Sequence, residues 1–261
     1  MQTFKEHQRY ETLSGPITET TEETVGQIAA KDLRKAKIFR KYRLDFCCGG
    51  NKTVTQACEE KGLNVNQIQA ELMKVDNTPA AEAMSYDEWN TDFLCDYIVN
   101  RYHSYVKKSL PDIRAYAQKV MRVHGKEHPE LLPVQQLVEE VHAELIPHMM
   151  KEETVLFPFI KKLVAAKIHH QSLSSKHFGT VQNPVNMMEL EHEQVGENFK
   201  EIRRLSHDYT LPESACGSYI FLYRMLEEFE EDLHLHIHLE NNILFPKALE
   251  IEKTTDMLTI K

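Results

Sequence analysis

The chain has 261 residues and a formal net charge of −9, because 40 acidic side chains outnumber 31 basic ones. This balance argues against nucleic-acid binding by the whole molecule, and no apolar run reaches the roughly 18 residues that a membrane span needs. Five cysteines, an odd number, argue against a disulfide framework and favour a reducing cytoplasm. Few glycines and long stretches rich in Glu, Lys, Leu and Met predict an all-α protein.

The amino-terminal part is predicted to contain a flexible tail at residues 1–20 and a small helical domain at 21–76. Thr24 with Gln27 is typical of a capping box at the start of a helix, and Gly62 is typical of a helix end. These signals predict a few short helices joined by turns.

A basic segment inside this domain holds seven cationic residues against one acid, Asp32. The cationic residues are Lys31, Arg34, Lys35, Lys37, Arg40, Lys41 and Arg43. We interpret the segment as a solvated helix face. Two alternatives remain open: a docking surface for an acidic partner, or a local field acting on the cysteines that follow.

Two adjacent cysteines, Cys47 and Cys48, stand in the loop that follows the basic segment. Neighbouring cysteines rarely form a disulfide because the geometry is strained. The glycines that follow, Gly49 and Gly50, let another backbone or a ligand approach closely. The loop therefore predicts a site of thiol redox chemistry or transfer, the alternative being a buried pair beside a glycine helix stop.

Residues 85–250 are predicted to form a second, larger domain, a four-helix bundle. Its helices are expected near 87–110, 133–166, 184–206 and 212–250, with an exposed connector at 167–182. Thr210 with Glu213 predicts a capping box at the start of the last helix.

Apolar residues on these helices recur at alternating spacings of three and four, which is typical of a bundle core. A histidine or glutamate repeatedly stands where a leucine or valine is expected: His103, His148, Glu152, His192, His236 and Glu240. An ionised carboxylate buried without a partner costs several kcal/mol. The core glutamates therefore require a cation or a hydrogen-bonded partner.

An internal repeat relates these residues to one another. The segments that begin at His148 and His236 both read H-x3-E-x2-[VI]-L-F-P. His103 precedes His148 by 45 residues, and His192 precedes His236 by 44. The bundle thus reads as two copies of a helical hairpin, each giving one His from its first helix and His-x3-Glu from its second.

The spacing fits metal binding, since residues i and i+4 lie one above the other on a helix face. A lone histidine here would be read as a core residue, but a twofold set of four histidines and two glutamates suits two ions bridged by carboxylates. Two ferric ions carry +6, and two glutamates with an oxo or hydroxo bridge offset most of it. Glu144 and Glu191 are predicted either to support these ligands or to be ordinary polar positions.

The ligand spacing differs from ferritin-like di-iron sites and resembles that of hemerythrin. The oxygen-carrying hemerythrins have a further histidine four residues after the third-helix ligand, where this chain has Gly196. They also end in His-x4-Asp, whereas Asn241 stands five residues after His236. Fewer ligands leave open positions, which favours exchange, small-molecule binding or iron release over reversible oxygen storage.

Five motifs of this chain carry a resemblance to a known family: the DFCCGG loop, RYH of the first long helix, HMMKEE with LFP, ELEH, and ENN with LFP. Together they resemble the ScdA/YtfE family of repair-of-iron-centres proteins. The resemblance runs from about residue 21 to 250. It implies a small amino-terminal helical domain, a hemerythrin-like di-iron bundle and a homodimer. The iron ligands of the family match the six residues named above, and its paired cysteines match Cys47 and Cys48.

The leading hypothesis is a cytoplasmic stress-response protein whose labile di-iron centre repairs iron–sulfur clusters damaged by nitric oxide or peroxide. Its expected partners are damaged iron–sulfur proteins. One alternative is an enzyme that reduces nitric oxide or peroxide at the centre. Others are a module that senses oxygen or nitric oxide, and a bundle with structural zinc.

Overall fold

The computed structural model describes residues 22–77, 85–171 and 179–257, and most of these residues are helical. Within these ranges there is no β-strand, only an isolated bridge between Thr24 and Thr53, so the all-α prediction is confirmed. The predicted tail at 1–20 and the central part of the predicted connector, 172–178, lie outside the described residues.

Four short helices form the amino-terminal part: α1 (Val25–Lys31), α2 (Leu33–Lys41), α3 (Val54–Lys61) and α4 (Val65–Asp76). The predicted capping box is present, because Thr24 accepts from the Gln27 backbone N–H while the Gln27 side chain accepts from that of Thr24. Gly62 ends α3 with a φ of +64°, as predicted. Phe39 and Ile68 are fully buried between these helices.

The basic segment is largely neutralised within the chain. Six of its seven cations pair with carboxylates of this protein: Lys31, Arg34, Lys35, Arg40, Lys41 and Arg43. Two of these pairs reach the bundle, from Arg40 to Glu231 at 2.9 Å and from Arg43 to Asp208 at 2.6 Å. The segment therefore helps to hold the amino-terminal helices against the bundle.

The bundle follows as four long helical paths. They comprise α5 (Thr91–Ile98) with α6 (Ser104–His124), α7 (Leu131–Lys151) with α8 (Phe157–Ile168), α9 (Gln182–Leu205), and α10 (Gly217–Leu239) with α11 (Phe245–Met257). Helix α6 packs on α7 and α10, α7 packs on α9, and α8 packs on α5 and α11. None of the described helices is long and apolar enough to cross a lipid bilayer.

The first path is longer than predicted, since α6 continues to His124 instead of ending near residue 110. Pro111, one residue beyond the predicted end, cannot donate a helical hydrogen bond. Beyond it, however, Ile113, Ala117 and Val120 are buried in the core. This apolar face outweighs the loss of one hydrogen bond, so the helix passes through the proline.

The fourth path begins later than predicted, at Gly217 rather than near residue 212. Three consecutive residues, His207, Asp208 and Tyr209, have positive φ angles of 48°, 59° and 56°. The Thr210 hydroxyl then donates to the carbonyl of His207 and does not cap a helix. The predicted capping box with Glu213 is therefore wrong, because local turn hydrogen bonds use the threonine.

A π-helical turn interrupts three of the four paths, at Val99–His103, Glu152–Leu156 and Glu240–Leu244. In the last two, Phe157 and Phe245 donate to carbonyls five residues back, those of Glu152 and Glu240. The next residue of each path is a proline, which has no N–H for the usual bond to the residue four back. The wider turn accommodates the missing hydrogen bond. Such turns often mark functional sites.

The amino-terminal helices meet the bundle around Gly26, which the Asn242 side chain of the bundle approaches closely. The Gly26 N–H donates to the carbonyl of Gly50 at 2.8 Å. The Asn242 side chain of the bundle donates to the carbonyls of Phe46, at 3.1 Å, and Cys47, at 3.3 Å. This amide therefore helps to fix the position of the cysteine loop.

Gly26→Ala is expected to destabilise the fold by about 1–3 kcal/mol, the usual cost of overpacking. A Cβ at this position would overlap Asn242 Oδ1 and would lie 2.9 Å from the Gly50 carbonyl oxygen. Urea denaturation measures the change, and Gly217→Ala, where a Cβ meets nothing within 4 Å, is the matched control. Equal stability of the two variants would contradict the packing described here.

Candidate di-metal centre

Six buried polar side chains converge in the middle of the bundle: His103, His148, Glu152, His192, His236 and Glu240, each at most 1% exposed. Two hydrophobic clusters flank this layer. One contains Leu145 and Leu233, and the other contains Leu156 and Phe245. The π-turns contribute to the layer, since His103 ends one turn while Glu152 and Glu240 each begin one.

The six side chains form two overlapping groups of four, in each of which the donor atoms lie within 4.8 Å of one another. One group contains His103 and His236, and the other contains His148 and His192. Glu152 and Glu240 belong to both. Each group thus takes one histidine from each half of the sequence repeat, and the glutamates lie between the groups.

The imidazole Nε2 atoms face the shared carboxylates. Glu152 Oε2 lies 3.3 Å from Nε2 of His103 and 3.4 Å from Nε2 of His148. Glu240 lies at 3.2 Å from His192 and 3.1 Å from His236, through Oε2 and Oε1 respectively. Each of the two glutamates therefore contacts one histidine of each group.

The donor atoms fit a metal pair better than a hydrogen-bonded network. Nε2 of His103, both oxygens of Glu152 and Oε2 of Glu240 are buried without a hydrogen bond of acceptable geometry. Nε2 of His148 and Nε2 of His192 face each other at 2.9 Å. Burying such lone pairs unsatisfied costs free energy, and cations placed between them remove that cost.

Three of the four imidazoles are held from behind through Nδ1, each at 2.8 Å. His103 contacts Glu153, His148 contacts Glu191, and His192 contacts Asn241. A carboxylate only accepts hydrogen bonds, so Nδ1 of His103 and of His148 carries the proton and Nε2 keeps its lone pair for a metal.

Of the two predicted supporting residues, Glu191 touches a candidate ligand and Glu144 does not. The hydrogen bond from His148 lowers the pKa of Glu191 to about 2. Glu144 Oε2 is buried without a hydrogen-bond partner, and burial raises the pKa of this carboxyl. Glu153 and Asn241 were missed, although both directly follow the glutamate of the repeated motif, a signal that could have found them.

Without metal, the opposite charges of the histidines and glutamates shift one another's pKa values. Burial opposes protonation of His103, but Glu152 and Glu240 outweigh it and raise its pKa to about 10. His192 follows the same pattern, with a pKa near 9, because of Glu240 and Glu152. Burial likewise disfavours the charged form of Glu240, yet the surrounding histidines hold its pKa well below the usual value. The site therefore stores protons that a metal can replace.

The cysteine loop reaches the wall of this centre. Cys48 is half-buried and its Sγ lies 3.5 Å from the carbonyl oxygen of His192. Cys47 is buried, with its Sγ 3.9 Å from that of Cys48 and 3.3 Å from Asp45 Oδ1. The hydrogen bond with Cys48, burial and the Asp45 charge all raise the pKa of Cys47. Its environment thus keeps Cys47 a thiol, against the expected effect of nearby cations.

Gly196 makes room for Cys48. A Cβ at this position would lie 3.4 Å from the Cys48 Sγ. The thiol thus occupies the space beside the position where the oxygen-carrying hemerythrins have their further histidine. A cleft of about 1280 Å³ opens over the cysteine loop. Residues of α2 and α9 line it together with Cys47 and Cys48.

Gly196→His is expected to expose Cys48 rather than to add a metal ligand, because the imidazole overlaps the space of the thiol. Cys48 should then react faster with a thiol-alkylating reagent, as measured for each cysteine by mass spectrometry. Gly196→Ala, whose Cβ only touches Sγ, should leave the rate unchanged. An unchanged Cys48 rate in Gly196→His would contradict this packing.

Comparison with known families agrees with this architecture. Residues 21–76 match ScdA_N, described as a domain of unknown function, and residues 96–248 match the hemerythrin HHE cation binding domain. The match to the second family covers the whole candidate centre.

Similar proteins include iron-sulfur cluster repair protein YtfE of Pectobacterium carotovorum, which is 35% identical over 234 residues, covering 88% of this chain and 98% of the relative. The proteins of the same name from Escherichia coli O81 and Escherichia fergusonii are each 36% identical over 231 residues. These alignments cover 87% of this chain and 97% of each relative. This chain therefore belongs to the ScdA/YtfE family of iron-sulfur cluster repair proteins.

Proposed function

We propose that this chain is a di-iron protein that repairs iron–sulfur clusters damaged by nitrosative or oxidative stress, by donating iron from a labile centre. The observation that carries this proposal is the pair of overlapping donor groups that share Glu152 and Glu240. The names of the relatives supply the repair function.

In this proposal His103 and His236 would hold one iron, His148 and His192 would hold the other, and both ions would share Glu152 and Glu240. Histidine and carboxylate suit iron, and two carboxylates with an oxo or hydroxo bridge offset most of the charge of two ferric ions. Such a pair supplies redox-active, exchangeable iron. Two histidines and two shared carboxylates per ion are fewer donors than the oxygen carriers use, which favours release.

The protein residues carry the remaining roles. Glu153, Glu191 and Asn241 orient three of the imidazoles and fix their tautomers. Cys48 lies beside the His192 backbone with Cys47 next to it, and a thiol there can receive or deliver a ligand or an iron ion. The cleft above them gives a client protein access to the thiols.

The same proposal includes partners and setting. The clients are damaged iron–sulfur proteins, and nitric oxide or peroxide are the small ligands of the centre. We further propose a homodimer that acts in the cytoplasm, with residues 21–76 and 85–250 as its two domains.

Iron donation is tested by mixing iron-loaded protein with an enzyme whose cluster nitric oxide has destroyed. Enzyme activity should return above the level reached with an equal amount of iron salt. Iron stoichiometry and the visible spectrum, before and after a nitric oxide donor, report the loss of metal. Recovery no greater than with iron salt would exclude donation.

A second candidate, reduction of nitric oxide or peroxide at the same centre, is favoured by the small number of donors to each ion. It predicts repeated turnover with an electron donor that persists in a double variant, Cys47→Ala with Cys48→Ala. Donation through the thiols predicts that this variant loses repair.

A further inference from the structure

His236 differs from the other three candidate ligands in how its ring is held. Its Nδ1 is buried without a hydrogen-bond partner. Instead, the Tyr102 ring stacks on it, with centroids 5.4 Å apart and an interplanar angle of 13°. Tyr102 directly precedes His103, just as Glu191 precedes His192, so the repeat has a phenol here where its other half has a carboxylate.

Tyr102 is the inner end of a row of oxidisable rings. Its centroid lies 5.9 Å from that of Tyr97, and Tyr97 lies 5.0 Å from Trp89. Trp89 is half-buried and contacts Phe93, which is 54% exposed. Tyrosine and tryptophan lose one electron more readily than other aromatic side chains. The row therefore connects a candidate ligand with solvent through neighbouring rings.

The row also offers a path for the proton that a tyrosine loses on oxidation. The Tyr86 hydroxyl lies 3.2 Å from that of Tyr97 and also interacts with Tyr102. Tyr102 is buried, and its phenolic hydroxyl carries the proton that oxidation releases. Tyr97 is half-buried, whereas Tyr86 and Tyr102 are buried, so the row leads towards solvent through Tyr97.

We infer that Tyr102, Tyr97 and Trp89 deliver single electrons to the metal centre when a peroxide meets an incompletely reduced iron pair. The inference rests on the proposed iron pair. Hydrogen peroxide needs two electrons and two protons to become two water molecules. Two bound ferrous ions would supply both electrons, whereas a pair with one ferrous and one ferric ion would supply only one.

Tyr102 supplies the missing electron and becomes a neutral radical, while its phenolic proton leaves through Tyr86 and Tyr97. Water provides the two protons that the peroxide consumes. The Tyr102 radical then takes an electron from Tyr97, and Tyr97 takes one from Trp89. At Trp89 a small thiol in solution gives one electron and one proton and becomes a thiyl radical. The row thus protects the ligands from an oxidant that would otherwise attack them.

The test treats partly reduced, iron-loaded protein with hydrogen peroxide and detects radicals by rapid-freeze EPR and oxidised residues by mass spectrometry. Tyr102→Phe keeps the stacked ring but has no phenolic proton, so it should bind iron normally and lose the tyrosyl signal. Tyr223→Phe is the matched control, since Tyr223 is buried and paired with Tyr219 at 4.9 Å in the other hydrophobic cluster. Zinc-loaded protein should give no radical.

Trp89→Phe, at the half-buried end, tests the row without changing the centre. It should prolong the tyrosyl signal and increase permanent oxidation of Tyr97, Tyr102 and the ligand histidines. The inference is wrong if iron-loaded Tyr102→Phe gives the same radical yield as the unmodified chain, or if Trp89→Phe leaves the lifetime of the tyrosyl radical unchanged. Neither result contradicts the proposed function. If the unmodified chain binds no iron, the proposed function falls with it.

Discussion

Glu240→Ala is expected to remove both metal ions, whereas His103→Ala is expected to release one and leave the other. Glu240 contributes to both donor groups, but His103 contributes to only one. Removing the shared carboxylate also removes negative charge from between two cations. The loss should exceed the roughly 10–100-fold fall in affinity that follows removal of a supporting residue.

The measurement is metal per chain by elemental analysis of folded protein, with helicity checked by circular dichroism. Glu191→Gln should weaken only the ion at His148 and His192, by roughly 10–100-fold. Glu144→Gln is the matched control because its carboxylate does not contact the six candidate ligands, and it should keep both ions. Two ions retained in Glu240→Ala would exclude a bridging role for this residue.

The metal-free protein is expected to lose stability as the pH rises from 6.5, the ordinary histidine value, to about 9–10. The folded-state pKa is raised to about 10 for His103 and about 9 for His192. A raised pKa means that the folded state binds protons more tightly than the unfolded state. The stabilisation is therefore complete below 6.5 and is lost as the pH passes the folded-state values. The total change is on the order of several kcal/mol.

Urea denaturation of metal-free protein across this pH range measures the loss. The metal-loaded protein is the control, because cations there replace the protons and its stability should not fall in the same way. Metal uptake at neutral pH should also release protons, which titration calorimetry in buffers of different ionisation enthalpy detects. A metal-free protein whose stability does not change between these pH values would contradict the protonated histidines described above.

The sequence by itself determined the helical class and the six polar residues that converge. Both follow from local rules, since spacings of three and four place residues on one helix face whatever that helix packs against. The repeated His-x3-Glu motif identified the glutamates in the same way. The cap at Thr24 and the helix end at Gly62 are also local, and both are confirmed.

Local rules failed where burial competes with them. The sequence predicts that the first long helix ends near residue 110, but the buried face beyond Pro111 keeps α6 intact. The sequence predicts that Thr210 caps the last helix, but a turn with three positive φ angles uses its hydroxyl. In α6 the outcome depends on contacts with helices distant in sequence, whereas at Thr210 one local hydrogen-bond pattern replaces another.

Only the tertiary structure decided how the six residues are shared. The repeat suggested that each half supplies a His and a His-x3-Glu, and the packing then pairs His103 with His236 and His148 with His192 across the halves. It also placed Glu153, Glu191 and Asn241 behind three imidazoles, Tyr102 against the fourth, and Cys48 over Gly196. The physical reason is that helical periodicity fixes which face a residue occupies, while the partner of that face is fixed by how whole helices pack.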